Sequence, residues 1–358
     1  MIKSNQPKKP TILVLPSNRR GKVPEMLGVE FERGGQGVII ELEKLGFAVE
    51  FFDGNTWPWN PMANMASILA AIDPIRALRI LLRWPRPDIV LCYFESSALL
   101  LALFKPLFFF RSPIVIIDVG LGGKSRLRNL FLRLIIPRVD AIFPLGSEQV
   151  RHIRTHYKTR AHVELIPAHV DTEFYAPQNH DQYPKRDDDY ILAVGDDISR
   201  DYETLIKATA GLDIRLILKT RRVAENKELY PHLSVMGRRL SDPEFRDLYD
   251  RAKLVVMPLH PTLWAGGVTA FLEAMAMGKA QIVSTSVGLI DYVRPGENCL
   301  SVPCHDVNAL REAIVRLLSD DALRRRLGES ARHYAQTHLS IEQIAGERAR
   351  WFRKLMRP

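Results

Sequence analysis

The chain has little sulfur and no long apolar run. Its three cysteines, Cys92, Cys299 and Cys304 in 358 residues, are an odd number and too few for the disulfide framework of a small secreted domain. Cys299 and Cys304 fall into no recognised ligand spacing, so they are expected to be thiols flanking a short strand, and no metal or other cofactor is expected. The longest apolar stretch, residues 96–110, is interrupted by Lys105 and Pro106 and falls short of the ~20 residues that span a bilayer. No membrane-spanning anchor is therefore expected. The chain opens with polar and basic residues rather than a signal-peptide pattern, which points to a cytoplasmic setting and leaves peripheral attachment to the inner face of the membrane open. Short solenoid repeats are missing. So are aromatic-interleaved basic motifs and recognition modules, and nucleic acid is not an expected partner.

What is present is an ordinary globular composition, 46% hydrophobic and 25% charged, in a chain too long for one core; two domains are expected. The net charge of +9 is uneven: residues 54–160 hold 3 Lys and 12 Arg against six acidic side chains. An anionic partner for the first half follows. Arg76, Arg79 and Arg83 recur at helical spacing among leucines and isoleucines, as do Arg126, Arg128 and Arg133. Two readings stay open, an anionic membrane surface or solvated faces of core helices.

The first half alternates strand and helix signals. An apolar run at 11–15 is followed by a loop with Arg19, Arg20 and Gly21, then Gly34-Gly35-Gln36-Gly37, a helix pattern over 38–45 closed by Gly46, and a strand pattern over 48–52 ending at Asp53. Residues 88–93, 113–118 and 141–144 read as further buried parallel strands. Residues 171–189, rich in Pro, Asn, Asp, Gln and Tyr, read as an exposed linker. Beyond it the alternation resumes: strands at 190–195, 214–219, 254–258 and 280–284, helices at 201–210, 242–252 and 267–277, and three more helices to 356. The expected fold class is α/β, with two Rossmann-like doubly wound domains facing across a cleft, the first over 1–175 and the second over 176–340, with helix 341–356 packing back on the first.

The densest chemistry lies in residues 263–278, LWAGGVTAFLEAMAMG. Trp264-Ala265-Gly266-Gly267 forms a glycine loop after a strand. The helix that starts near Val268 or Thr269 would offer backbone N–H groups and a positive dipole end to an anion, a geometry suited to a diphosphate. Glu273 follows on a helix otherwise made of Ala, Met, Phe and Leu. A carboxylate there is costly to bury unless its oxygens accept hydrogen bonds. Vicinal ribose hydroxyls would supply two; the alternative is a half-exposed glutamate paired with a nearby Lys or Arg. His169 and the Trp57-Pro58-Trp59 patch carry open readings, His169 as a structural residue, the tryptophans as an acceptor platform or a loop anchor.

The run GGVTAFLEAMAMGKAQIVSTSVGLIDYVRPGENCLSVPCHDVNALREAIVRLL resembles the donor-binding segment of GT-B glycosyltransferases, in particular glycosyltransferase family 4, also called group 1. IPAHVDTEFYAP, ILAVGDDISRDYETLIKA and HLSVMGRRLSDPEFRDLYDRAKLVVMPL resemble other stretches of that family, and GGQGVIIELEKLGFAVEFFD resembles its weaker amino-terminal glycine loop. The resemblance implies that Glu273 binds the donor ribose, and that Gly266, Gly267, Val268 and Thr269 present main chain to the sugar and diphosphate. It implies that Met236, Gly237 and Arg238 border the base, and that Gly34 and Gly35 approach the diphosphate from the first domain. Arg200 and Lys219 are its candidates for neutralising the departing pyrophosphate, and His260 lies beside the glycines as a candidate donor contact.

Two positions depart from the family pattern. Ala265 stands where a second glutamate is expected, and no His occurs between Arg111 and Arg151, leaving Asp118 as the nearest polar substitute. The implied activity is metal-independent, retaining transfer of a sugar from a nucleotide-diphosphate sugar to an unknown acceptor, a glycan or lipid-linked molecule, in cell-envelope or polysaccharide synthesis. The alternative is a weakened GT-B protein that binds nucleotide-sugar or a partner enzyme without turnover. An isomerase of the nucleotide-sugar 2-epimerase type would need further carboxylates and histidines that the sequence does not supply.

Overall fold

The computed structural model describes residues 9–15, 36–52, 74–93, 95–117, 126–178, 189–224, 226 and 229–357. The chain forms two compact units, one of residues 1–145, 149–166 and 345–358, the other of residues 146–148 and 167–344.

In the first unit β1 (Thr11–Leu15), β2 (Ala48–Phe51), β3 (Ile89–Tyr93), β4 (Ile114–Ile117), β5 (Ala141–Phe143) and β6 (His162–Val163) form one parallel sheet in the order β2-β1-β3-β4-β5-β6. The central strands are fully buried, β4 reading Ile-Val-Ile-Ile with every side chain inside, as expected where helices cover both faces. The crossovers include α1 (Gln36–Lys44), α2 (Pro74–Leu81), α3 (Glu95–Phe104), α4 (Arg126–Ile135) and α5 (Ser147–His156). The exposed basic face expected on α2 is largely spent within the unit. Arg76 is buried, Arg79 lies 5.3 Å over the Phe52 ring, and Arg83 pairs with Glu50. On α4, Arg133 is exposed, while the side chains of Arg126 and Arg128 lie outside the described residues.

The second unit is built alike. β7 (Tyr190–Val194), β8 (Arg215–Lys219), β9 (Leu233–Val235), β10 (Ala252–Met257), β11 (Gln281–Ser284) and β12 (Leu300–Val302) are parallel in the order β12-β11-β10-β7-β8-β9. The chain runs outward from β7 through β8 to β9, then returns to the other side of β7 with β10. The switch point of the sheet therefore lies between β7 and β10, where open α/β sheets bind ligands beyond their carboxyl ends. Ile191, Ala193, Leu216, Leu218, Leu254, Val256 and Ile282 form the centre of its core.

The helices of this unit start at well-made caps: α6 (Tyr202–Thr209) at Asp201, α7 (Asp242–Asp250) at a capping box of Ser241 and Glu244, α9 (Val307–Ser319) at Asp306 and α10 (Asp321–His338) at Asp320. The exception is α8 (Val268–Ala276), whose cap is Gly267 with no side-chain hydrogen bond. The last helix, α11 (Ile341–Leu355), contributes Phe352 to the first unit, 6.1 Å from Phe47.

The linker reading of residues 171–189 does not hold over 171–178. Tyr175 is fully buried, and residues 171–178 pack in the second unit; Tyr175 carries a long apolar ring that burial stabilises, and it occupies the core beside α7 and α8. Residues 179–188 lie outside the described residues.

Candidate functional site

At the carboxyl end of β7 the chain passes through Gly195, Asp196 and Asp197 to Ser199, Arg200 and Asp201. This segment pairs with the residues after β10. The Arg200 backbone bridges Leu259, the Asp201 N–H donates to the Pro258 carbonyl at 3.0 Å, and the His260 N–H donates to the Ser199 carbonyl at 2.8 Å. The two strand ends on either side of the switch point are thus laced together before α8 begins.

Arg200 occupies the space so created. Its side chain is 3% exposed, its Nε donates to Asp197 Oδ2 at 2.8 Å, and its guanidinium rests on the Met257 sulfur. Two glycines make room for it. A side chain at Gly195 would collide with the guanidinium, and a Cβ at Gly267 would stand 2.8 Å from Nη1. Gly267 also holds φ +84°, a conformation that a Cβ disfavours. The requirement for glycine at this loop is therefore partly a requirement for Arg200. The Val268 N–H is taken by the Ala265 carbonyl at 3.1 Å, and no side chain caps the helix start. A buried guanidinium beside an uncapped helix N-terminus is a fixed positive field, the arrangement that favours an anion.

Acidic neighbours tune that field. Burial raises the Asp197 carboxyl, but the Arg200 charge and the hydrogen bonds from Ser199 outweigh it and leave its pKa below the ordinary value. Asp196 behaves likewise: burial raises it, and donation from the Arg221 backbone and side chain and from Thr220 lowers it further. Neither aspartate was singled out from the sequence; their position directly after a strand-ending glycine was the available signal.

Lys219 ends β8, half-buried, and its carbonyl accepts from the Gly195 N–H at 3.2 Å. Met236 and Gly237 follow β9 rather than lying in it, Met236 bonded to the Leu218 carbonyl at 2.8 Å. Arg238, largely exposed, donates to Glu244 at 2.9 Å. Together with the Ser241 N–H, it holds the Glu244 carboxyl down to about 2. His260 is half-buried and faces His305, ring centroids 5.0 Å apart, with Asp201 adjoining both. Gly34, Gly35, Asp118, Trp57 and Trp59 lie outside the described residues.

Glu273 gives the sharpest departure from expectation. It is 3% exposed, so the half-exposed glutamate paired with a cation is not what the chain builds. Its Oε1 accepts from the Tyr175 hydroxyl at 3.1 Å and its Oε2 from the Tyr249 hydroxyl at 2.8 Å. The two hydroxyls that the burial argument demanded are present, and they are phenolic and belong to the chain itself. Burial and the neighbouring carboxylate push the Tyr249 hydroxyl well above its ordinary pKa, so it stays a donor. A carboxylate has about four lone-pair sites, so a ligand hydroxyl would share Glu273 with the tyrosines rather than find it vacant.

The two parallel sheets define a chain of two Rossmann-type units. Over residues 198–320 the chain matches the model of the family described as glycosyl transferases group 1. It is 38% identical over 139 residues to an exopolysaccharide phosphotransferase of Streptomyces coelicolor, an alignment covering 38% of this chain and 14% of that protein. The chain spans about half the length, or less, of the curated relatives it matches. Among solved structures, the sucrose-phosphate synthase of Thermosynechococcus elongatus superposes with TM-score 0.76 at 20% identity, covering 97% of this chain and 99% of that one. HepE of Anabaena, solved with UDP and glucose, superposes with TM-score 0.70 at 15% identity over 96% and 99%. These likenesses establish the fold.

Proposed function

We propose that the chain is a glycosyltransferase that takes a nucleotide-diphosphate sugar and passes the sugar to an acceptor. The observation that carries this is Arg200, buried at the uncapped start of α8 and at the switch point of the sheet. Breaking a glycosyl–phosphate bond places charge on the departing diphosphate. A guanidinium and helix dipole fixed beforehand stabilise that charge without reorganising when it forms. Lys219, on the neighbouring strand end, is the second cation, and the reaction needs neither a metal nor a carboxylate nucleophile in this reading. UDP in the HepE structure supports a uridine donor. Retention of configuration, and a place in cell-envelope or polysaccharide synthesis, follow from the group 1 resemblance.

The test is a panel of UDP-, GDP- and ADP-sugars, scored for release of nucleoside diphosphate with and without glycan acceptors. Release that depends on Arg200 supports transfer. Tight binding with no release under any acceptor would instead support the second reading, a binder without turnover, which Ala265 favours because it carries no carboxylate toward the sugar.

Peripheral attachment to membrane is supported from the first unit by side chains other than the arginines of α2. Trp84 and Phe109 are 86% and 82% exposed, and Leu82 and Leu107 stand out beside them. Arg86 joins the two loops, donating to the Phe109 carbonyl at 2.6 Å and the Phe108 carbonyl at 3.3 Å. Exposed apolar tips beside Arg86 and Arg111 suit an anionic lipid surface. Flotation with phosphatidylglycerol vesicles should show binding that is lost in a Trp84→Ser, Phe109→Ser double variant.

A further inference from the structure

Three side chains from distant parts of the sequence meet beside the Arg200 segment. Asp201, His260 and His305 each offer one ligand atom, and these atoms all lie within 4.8 Å of one another. We propose that they form a binding site for one divalent transition-metal ion of the zinc type, which takes His260 as a metal ligand in place of the donor contact expected of it and which stands whether or not the chain transfers sugar.

The donor set fits. Two imidazole nitrogens and one carboxylate oxygen suit zinc, cobalt(II) or nickel(II) and are too poor in oxygen for magnesium or calcium. The three atoms are held before any ion arrives. The Asp201 carboxylate is fixed by Thr204, whose N–H donates to Oδ1 at 3.2 Å and whose hydroxyl donates to Oδ2 at 2.7 Å. Such outer hydrogen bonds orient a metal-binding carboxylate. His305 Nδ1 stands 2.8 Å from the same Oδ2, an approach in which a metal ion could replace the bridging proton. His260 is positioned by its backbone bond to Ser199, and among the described residues its ring nitrogens take no hydrogen bond.

The backbone adds an independent sign. His305 is one of two non-glycine residues with positive φ among the described residues, at +64°. Left-handed conformation at a residue with a full side chain is retained where the surroundings or a function require it. Here it brings the imidazole, itself exposed, to 2.8 Å from the Asp201 carboxylate. Cys304, next in the chain, is not among the ligands: its thiol donates to the Thr285 carbonyl at 3.1 Å.

The ion would clamp three element ends, the cap of α6, the loop after β10 and the residue before the cap of α9. All three border the segment that carries Arg200, so the ion would stiffen the anion-binding loop without entering the chemistry.

The test uses the whole chain freed of metal with a chelator, titrated with zinc ion by calorimetry and with cobalt(II) by its visible absorption. One equivalent should bind, with the melting temperature rising with zinc concentration. His260→Ala and His305→Gly should each weaken binding by more than the ~10–100-fold that loss of an outer partner costs, and Thr204→Val by about that amount. His305→Gly suits the left-handed backbone and keeps the fold testable. His156→Ala breaks the stacked His152–His156 pair on α5, centroids 4.1 Å apart, which is the obvious competing surface pair, and should leave the tight site unchanged. Failure of the wild-type chain to bind one equivalent, retention of tight binding in either His260→Ala or His305→Gly, or its loss in His156→Ala would overturn the assignment.

Discussion

The two ends of one short helix do different work. At the start of α8 a buried guanidinium and a helix N-terminus that no side chain caps create a positive site whose natural complement is an external anion. One and a half turns on, Glu273 is a negative group whose complement is already inside the protein. Both ends are buried and both look like ligand contacts on paper. The difference lies in what surrounds the charge: at Gly267 the chain has removed atoms, and at Glu273 it has supplied them.

The largest effect expected from breaking this contrast is at Arg200. Arg200→Ala should lower kcat by about 100- to 1,000-fold, the scale of removing one preorganised donor from a charge-developing site, with melting changed far less because the Asp197 it frees is partly solvated. Arg200→Lys should recover only part of the loss, since a point charge does not reproduce the guanidinium fork. Steady-state kinetics with the active donor, alongside melting curves, checks both.

Glu273 should respond the other way round. Glu273→Ala leaves two buried phenols without an acceptor, at about 1–3 kcal/mol each, and opens a cavity, so unfolding in urea should shift markedly. Glu273→Gln keeps the shape and one good acceptor and should fold. Its nucleotide affinity then separates the roles. If the carboxylate also holds the ribose, affinity measured by calorimetry falls at least tenfold; unchanged affinity leaves Glu273 as an anchor alone. Tyr175→Phe and Tyr249→Phe should each cost about 1.5–3 kcal/mol, the worth of a hydrogen bond to a charged group.

Gly267→Ala links the two ends. Its Cβ would press on Arg200 Nη1 in a backbone conformation costing roughly 1–2 kcal/mol for a residue with a side chain. A moderate loss of stability with a fall in kcat smaller than that of Arg200→Ala is expected.

The smallest effect is the acid limb. Asp196, Asp197 and Asp201 all have carboxyls held below the ordinary value of 3.8 in the folded chain. Such groups contribute stability above the unfolded pKa, and that contribution is lost as pH falls through their lower folded values. Melting followed from pH 5 downward should drop less steeply in Asp197→Asn than in the wild type.

Most of the architecture was legible because apolar runs such as those of β4 and β10 have one stable use, a strand covered on both faces. The glycine loop was legible too, since adjacent glycines ahead of a helix announce close approach of something to the main chain. That the first visitor is the chain's own Arg200 was not. The partners of Glu273 lay 98 and 24 positions away, one of them in a stretch whose composition suggested solvent. Composition records what a segment could do in isolation, and it hid the burial of Tyr175 in the second unit. The Asp201, His260 and His305 group was equally hidden, because rules for ligand spacing detect ligands that share one turn or hairpin, and these come from three separate segment ends.

The course of α11 bears on how the protein is made. Phe352 is fully buried against Phe47, and the Arg353 guanidinium closes on the Leu45 carbonyl at 2.7 Å across 308 positions of sequence. During synthesis the opening strands therefore emerge hundreds of residues before the side chains that complete their core. The second unit, emerging in between, has all its own strands in hand first, so of the two units the one translated earlier is the one obliged to wait.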